Sequence, residues 1–188
     1  MNNDKNKAMI ASTFSNYKFC SKDLQSFLET NGLYECPAST MTSLHNAFEG
    51  GLIDHMLRVT KYAVKLNEML PEHLQTPKPS VVKVAFLHSI GKIGLYKKCE
   101  SEWHRKNMGK MYEFIENIVS MSVSERSLYY ISKYGNQEDK LTEAEYQAIS
   151  NYDKDLGEDK MARWHSEPLA IILRQAIELA ILEEKRPK

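Results

Sequence analysis

Three histidines have a type and spacing that suit chemistry. His45 lies shortly before the pair Gly50-Gly51, His55 lies just after that pair, and His88 lies in the most apolar part of the chain's middle. A neutral imidazole binds transition metals and exchanges a proton near neutral pH. Each histidine alone is typical of a buried imidazole that bonds a carbonyl group. Two that point inward from neighbouring helices favour a shared polar pocket, because buried polar groups need partners.

Helical spacing predicts the elements that position these histidines. One apolar stripe predicts a long helix that ends at Pro71, and its members are Leu52, Met56, Val59, Ala63, Leu66 and Leu70. His55 flanks this stripe, since it shares a helical face with Val59. Residues 81–94 are apolar almost all round, which predicts a helix buried in the middle of a bundle and carrying His88.

Further helices are expected on either side. Ser21 is a candidate N-cap for a short helix that stops at Asn31-Gly32. Residues 37–40 are expected to open a second short helix that holds Leu44, His45 and Phe48. Later helices are expected near residues 111–119, 124–133, 142–152 and 167–184, and the polar stretch 95–110 is expected to form a loop or small hairpin. The sequence thus predicts an all-α, single-domain helical bundle over residues 37–188, preceded by an N-terminal helical extension over residues 1–36.

Composition limits the classes of partner. The 188 residues include 25 basic and 25 acidic side chains, so the net charge is zero, which disfavours bulk nucleic-acid coating by phosphate contacts. Cys20, Cys36 and Cys99 form no CxxC pair and are expected to be free thiols in a reducing, cytoplasmic compartment. Residues 168–182 are apolar but interrupted by charges, so no membrane span and a soluble protein are expected.

The histidines and their neighbours also resemble a family. The similarity lies in the order of these elements: Pro37-Ala38-Ser39-Thr40, His45, Phe48-Glu49-Gly50-Gly51-Leu52, His55 and Leu87-His88-Ser89-Ile90-Gly91-Lys92. Together they resemble the His-Asp (HD) metal-dependent phosphohydrolases, in particular the bacterial and phage branch, from about Pro37 to the C-terminus. The resemblance implies an all-helical bundle around one or two divalent metals, which activate water for attack on a phosphate ester or anhydride.

The implied ligands match only in part. His55 and His88 match two family ligands, but the paired Asp of the family is Ser89 here and its final Asp falls at Ile177. Two further histidines of the family fall at Val123 and Tyr152. Ser89 offers a neutral hydroxyl to a cation that prefers anionic oxygen, which makes a poor site for magnesium or manganese.

Three hypotheses follow. The leading one is a degenerate HD-fold protein without a cofactor, which binds a nucleotide, another phosphorylated small molecule or a partner protein. The second is an active phosphohydrolase with a rearranged set of ligands and a divalent metal (Mn, Mg, Zn, Ni or Co). Its metal ligands would be His55, His88 and Asp153 or Glu178, with His45 as a further candidate. The third is a structural or assembly protein, including a homo-oligomer.

The candidate binding residues extend beyond the histidines. Lys92 lies in the family's lysine position, one turn after His88, and is the candidate catalytic residue. The loop from Trp103 places an aromatic ring beside Arg105 and Lys106, which suits a nucleobase and a phosphate, although a solvated charged loop has the same pattern. The full set of candidate ligand-binding residues is His45, His55, His88, Ser89, Lys92, Arg105, Lys106 and Tyr152. Trp164 is expected to be a core anchor, and residues 183–186 a solvated helix end.

Overall fold

The computed structural model describes residues 3–154 and 166–185, and this part of the chain is mostly helical, which confirms the predicted all-α class. Its α-helices are α1 (Asn3–Tyr17), α2 (Lys22–Thr30), α3 (Gly51–Met69), α4 (Lys78–Leu87), α5 (Glu102–Met108), α6 (Val123–Tyr134), α7 (Glu143–Asn151) and α8 (Pro168–Lys185). Short 3-10 turns cover Glu72–Leu74, Ile90–Lys92 and Gln137–Asp139. Strands β1 (Tyr96–Lys98) and β2 (Tyr112–Phe114) form an antiparallel pair.

The centre of the bundle is α3, which packs against both α4 and α8. The predicted stripe of α3 is buried at Leu52, Met56, Val59 and Ala63, and every residue of α4 from Val81 to Leu87 is buried. Burial on all faces explains the uniformly apolar sequence of α4. The helices α3, α6, α7 and α8 lie close to their predicted ranges, and α7 begins with the predicted capping box of Thr142 and Glu145.

The first two helices share this core. Ile10 and Phe14 of α1 are buried, and the ring of Phe14 lies 4.9 Å from that of Phe86 in α4. The backbone N–H of Ser21 donates to the Asp139 carboxylate at 2.9 Å, which ties the start of α2 to the turn before α7. The residues predicted as an N-terminal extension therefore pack into the same hydrophobic cluster as α3 and α4.

Two predicted helices are wrong. Residues 31–50 form turns and bends instead of the predicted helix around His45, because Asn46 and Gly50 adopt positive φ angles of 42° and 79°. Residues 111–119 contain β2 rather than a helix. The N–H groups of Met111 and Tyr112 donate to the carbonyl oxygen of Thr40, so distant backbone pairing overrides local helical spacing there.

Two further expectations are met. Within residues 3–154 and 166–185, no helix is both long and apolar enough to cross a membrane. Cys20, Cys36 and Cys99 are buried free thiols. The expected core position of Trp164 lies outside the described residues.

Candidate functional site

The three predicted histidines lie together. His45 comes from the loop before α3, His55 from the first turns of α3, and His88 from the residue that ends α4. The ring centroid of His55 lies 5.0 Å from that of His45 and 5.6 Å from that of His88. His55 and His88 are 2% and 1% exposed. The sequence thus predicted a buried histidine cluster that the structure contains.

The glycine pair explains how the His45 loop reaches α3. Gly50 has a φ of 79°, which a residue with a side chain rarely adopts. A Cβ atom on Gly51 would lie 2.1 Å from the carbonyl oxygen of Asn46. The loop therefore packs directly on the helix backbone, and this close approach seats His45 beside His55.

A fourth residue, Glu184, completes the cluster and was not predicted. Its carboxylate oxygens lie 3.0 and 3.1 Å from Nδ1 of His55, and its side chain has no exposed surface. The expectation of a solvated helix end at residues 183–186 is therefore wrong for Glu184. The signal was available in the spacing of α8, because its buried stripe of Leu169, Leu173, Ala176 and Ala180 continues to position 184 at helical steps.

Three of these residues converge as metal ligands do. One nitrogen of His45, one nitrogen of His55 and one carboxylate oxygen of Glu184 all lie within 4.8 Å of one another. His88 lies outside this group. Its Nδ1 lies 2.9 Å from the carbonyl oxygen of Ala85, which fixes the tautomer with the proton on Nδ1.

Burial keeps the cluster electrically neutral. Loss of hydration lowers the pKa of His45 and His55 to about 3 and lowers that of His88 well below its ordinary value. The same effect raises the pKa of Glu184 to about 8. His55 and Glu184 thus share one proton at pH 7, and the imidazoles are in the unprotonated form that metals bind.

Lys92 supplies the positive charge beside the cluster. Its Nζ donates to the carbonyl oxygen of Ala38 at 2.6 Å, and its charge acts on His45, His55 and Glu184. Burial lowers the pKa of Lys92 to about 8, so most of the amine is protonated at pH 7. A cation at this place favours an anionic ligand.

Among the described residues, Nε2 of His45 and the hydroxyl oxygen of Ser89 are buried without a hydrogen-bond partner, and so is Nε of Arg58, one helical turn after His55. A buried polar atom without a partner costs about 1–3 kcal/mol, so each one calls for an explanation. The His45 and Ser89 atoms mark the space around the cluster as a place where a further polar group fits.

The other residues predicted as ligands lie elsewhere or act differently. The rings of Tyr152 and His88 pack edge to face, with centroids 5.0 Å apart. The carboxylate of Asp153 is exposed and accepts the N–H of Ser124 at 3.2 Å, so it caps α6 instead of joining His55 and His88. Glu178 is exposed on α8. Val123 begins α6, and Ile177 is partly buried against the core two helical turns before Glu184.

The basic segment that was expected to be a loop is helix α5, and it does not join the cluster. Nη1 of Arg105 donates to the carbonyl oxygens of Cys99 and Glu100, and Lys106 pairs with Glu102 at 2.6 Å on the surface of α5. Trp103 is 62% exposed. Within the described ranges, neither cation forms a hydrogen bond or ion pair with the histidines; both are exposed on the surface of α5.

Comparisons of the chain with protein families, with curated proteins and with solved structures found no match.

Proposed function

We propose that this protein is a metal-dependent phosphohydrolase that holds one first-row transition-metal ion at His45, His55 and Glu184. The observation that carries the proposal is the convergence of these three ligand atoms within 4.8 Å. The proposal keeps the second of the three hypotheses but changes two of its ligands: Glu184 takes the place expected for Asp153 or Glu178, and His45 takes the place expected for His88.

The donor set selects the kind of metal. Two imidazoles and one carboxylate suit zinc, cobalt or nickel, whereas magnesium and calcium prefer oxygen ligands alone. Catalytic zinc sites commonly have three protein ligands of this type and a fourth position for water. Bound there, such an ion lowers the pKa of water and polarises a phosphoryl oxygen.

The chain's own residues account for binding and charge. Glu184 gives up its proton when its carboxylate becomes a ligand, and the neutral imidazoles of His45 and His55 need to lose none. Lys92 offsets the negative charge of a phosphate group. The unpartnered hydroxyl of Ser89 is a donor that a phosphate oxygen or a water molecule could satisfy. The resemblance to the HD phosphohydrolases supports phosphate esters, including nucleotides, as the substrate class.

The test begins with the full-length chain stripped by a chelator. Titration with zinc, cobalt, nickel, manganese and magnesium is expected to give one tightly bound zinc, cobalt or nickel per chain and weak magnesium binding. Hydrolysis is then followed on nitrophenyl phosphate mono- and diesters and on a nucleotide panel. The His55→Ala and Glu184→Gln variants are expected to lose both stoichiometric metal and hydrolysis.

The matched control is His73→Ala, which removes an exposed histidine from the turn after α3. It is expected to bind metal and hydrolyse the esters as the wild type does. Absence of a stoichiometric metal in the wild type would overturn the proposal. So would hydrolysis that persists in His55→Ala.

A second candidate is metal-free binding of a phosphorylated ligand, as in the degenerate HD-fold hypothesis. Ser89 and Ile177 favour it, because neither supplies the carboxylate that the family's site requires. Its signature would be binding of phosphate or a nucleotide by the chelator-treated chain, lost in Lys92→Met, with no bound metal and no hydrolysis. The metal titration therefore separates the two functions.

A further inference from the structure

Arg58 bridges three acidic side chains at the edge of the histidine cluster. Its Nη2 donates to Asp54 at 3.0 Å and its Nη1 donates to Glu183 at 2.5 Å. Its Nε lies 3.4 Å from the Glu184 oxygen that faces His55, without the geometry of a hydrogen bond. The Arg58 side chain is only 15% exposed, which reduces screening of these pairs by water. A planar guanidinium fixes the directions of its partners more strictly than an ammonium does.

The same network reaches the His45 loop. The Asp54 oxygen that faces Arg58 also accepts a hydrogen bond from the side-chain amide of Asn46 at 2.9 Å. Asn46 directly follows His45 in the chain, and its backbone has a positive φ. Asp54 therefore links Arg58 to the segment that carries one of the proposed ligands.

The network also holds the end of α8. Helix ends fray, because their last carbonyl groups lack partners within the helix. Glu184 lies one residue before the end of α8 at Lys185. Arg58 contacts Glu183 and Glu184, and the Tyr62 hydroxyl donates to Glu183 at 2.7 Å. These contacts from α3 keep the last turn of α8 against the histidines.

We infer that Arg58 is the positioning residue of the metal site: it holds the last turn of α8, and through Asp54 the His45 loop, so that His45, His55 and Glu184 meet. The inference rests on the proposed function, because it assigns Arg58 a role in assembling that site. Groups that orient metal ligands typically change metal affinity by about 10- to 100-fold when they are removed.

The experiment compares zinc affinity in the full-length chain and in three variants, by competition with a chromophoric chelator. Arg58→Ala is expected to bind zinc about 10- to 100-fold more weakly. Arg58→Lys keeps the charge without the planar fork and is expected to fall between Arg58→Ala and the wild type. Tyr62→Phe is the matched control, because it removes one hydrogen bond to the same helix end without touching Glu184, and its affinity is expected to stay within about threefold of the wild type.

Urea unfolding of each metal-free variant separates positioning from folding. The inference requires Arg58→Ala to be fully folded in the zinc assay and still weak in zinc binding, with an altered cobalt absorption spectrum. The inference is overturned if Arg58→Ala binds zinc as tightly as the wild type does. It is also overturned if the fraction of unfolded Arg58→Ala accounts for its whole loss of zinc affinity, or if Tyr62→Phe loses as much zinc affinity as Arg58→Ala. A wild-type chain that binds no zinc would instead refute the proposed function itself.

Discussion

Replacement of Gly91 by alanine tests whether α6 clamps the segment that carries His88. A Cβ atom on Gly91 would lie 2.3 Å from the carbonyl oxygen of Val123 and 2.7 Å from the backbone nitrogen of Ser127. Both distances are far inside van der Waals contact, and both neighbours are backbone atoms of α6. Gly91 has no left-handed φ, so the expected damage is steric.

The expected loss of stability has two parts. Overpacking at a rigid backbone contact costs about 1–3 kcal/mol. The displacement also breaks two buried hydrogen bonds, from the Gly91 N–H to the Ser127 hydroxyl at 2.9 Å and from that hydroxyl to the His88 carbonyl oxygen at 2.8 Å. Each is worth about 1 kcal/mol. Gly91→Ala should therefore lower the free energy of unfolding by about 3–5 kcal/mol, a large part of the 5–15 kcal/mol typical of a domain.

The assay is equilibrium urea unfolding followed by circular dichroism, in which such a loss shifts the midpoint by about 2 M. Gly94→Ala is the matched control, because Gly94 has a φ of 75° and a Cβ atom added there would meet no neighbouring atom within 4 Å. Its cost is conformational alone, about 1–2 kcal/mol. The steric argument is refuted if the free energy of unfolding of Gly91→Ala stays within 1 kcal/mol of the wild-type value, or if Gly94→Ala lowers it as much as Gly91→Ala does.

Three further predictions concern the cluster and the core. Below pH 6.5 the unfolded state of the metal-free chain protonates His45, His55 and His88 while the folded state does not. Glu184 opposes this by one proton between its ordinary pKa of 4.5 and its folded pKa of about 8. The unfolded state thus binds nearly two more protons than the folded state, so the free energy of unfolding should fall by roughly 2 kcal/mol per pH unit from pH 6 to 5, and urea midpoints that stay constant there would contradict this. Asp139→Ala leaves the buried N–H of Ser21 without its acceptor and should lower the free energy of unfolding by about 2–3 kcal/mol. An unchanged stability in thermal or urea unfolding would show that this hydrogen bond does not tie α2 to the turn before α7. Deletion of α1 removes the buried side chains of Ile10 and Phe14 and should abolish cooperative unfolding, whereas a sharp transition would show that the chain from residue 18 onward folds without α1.

The sequence predicted the parts of the fold that local signals determine. The stripe from Leu52 located α3, and the cap formed by Thr142 and Glu145 located the start of α7. The same reasoning failed for residues 31–50 and 111–119. Their backbone groups form hydrogen bonds between segments far apart in the sequence, as the N–H of Met111 does with the carbonyl oxygen of Thr40. Such long-range pairing leaves no periodic trace in a single sequence.

The chemistry of the site was predictable to a similar extent. His45, His55 and His88 were predicted because histidine is conspicuous in apolar segments and because their neighbours resemble a family. Glu184 was missed because a carboxylate near a run of charges is typical of a solvated helix end. Arg58 was missed because Glu183 and Glu184 lie on a different helix, and their approach to Arg58 depends on how α8 packs against α3.

The buried polar cluster makes folding less favourable than an apolar core of the same volume would. Within the part of the chain that the structure describes, Nε2 of His45 and the hydroxyl of Ser89 are buried without hydrogen-bond partners, and burial makes the ionised form of Glu184 unfavourable. Each unsatisfied group costs about 1–3 kcal/mol, and apolar side chains of similar volume would remove that cost. A bound cation would offset this cost, because the lone pair of His45 and the ionised carboxylate of Glu184 would then be its ligands. The same features that destabilise the metal-free chain would therefore contribute to metal affinity, and zinc should raise the unfolding midpoint of the wild type but not that of His55→Ala.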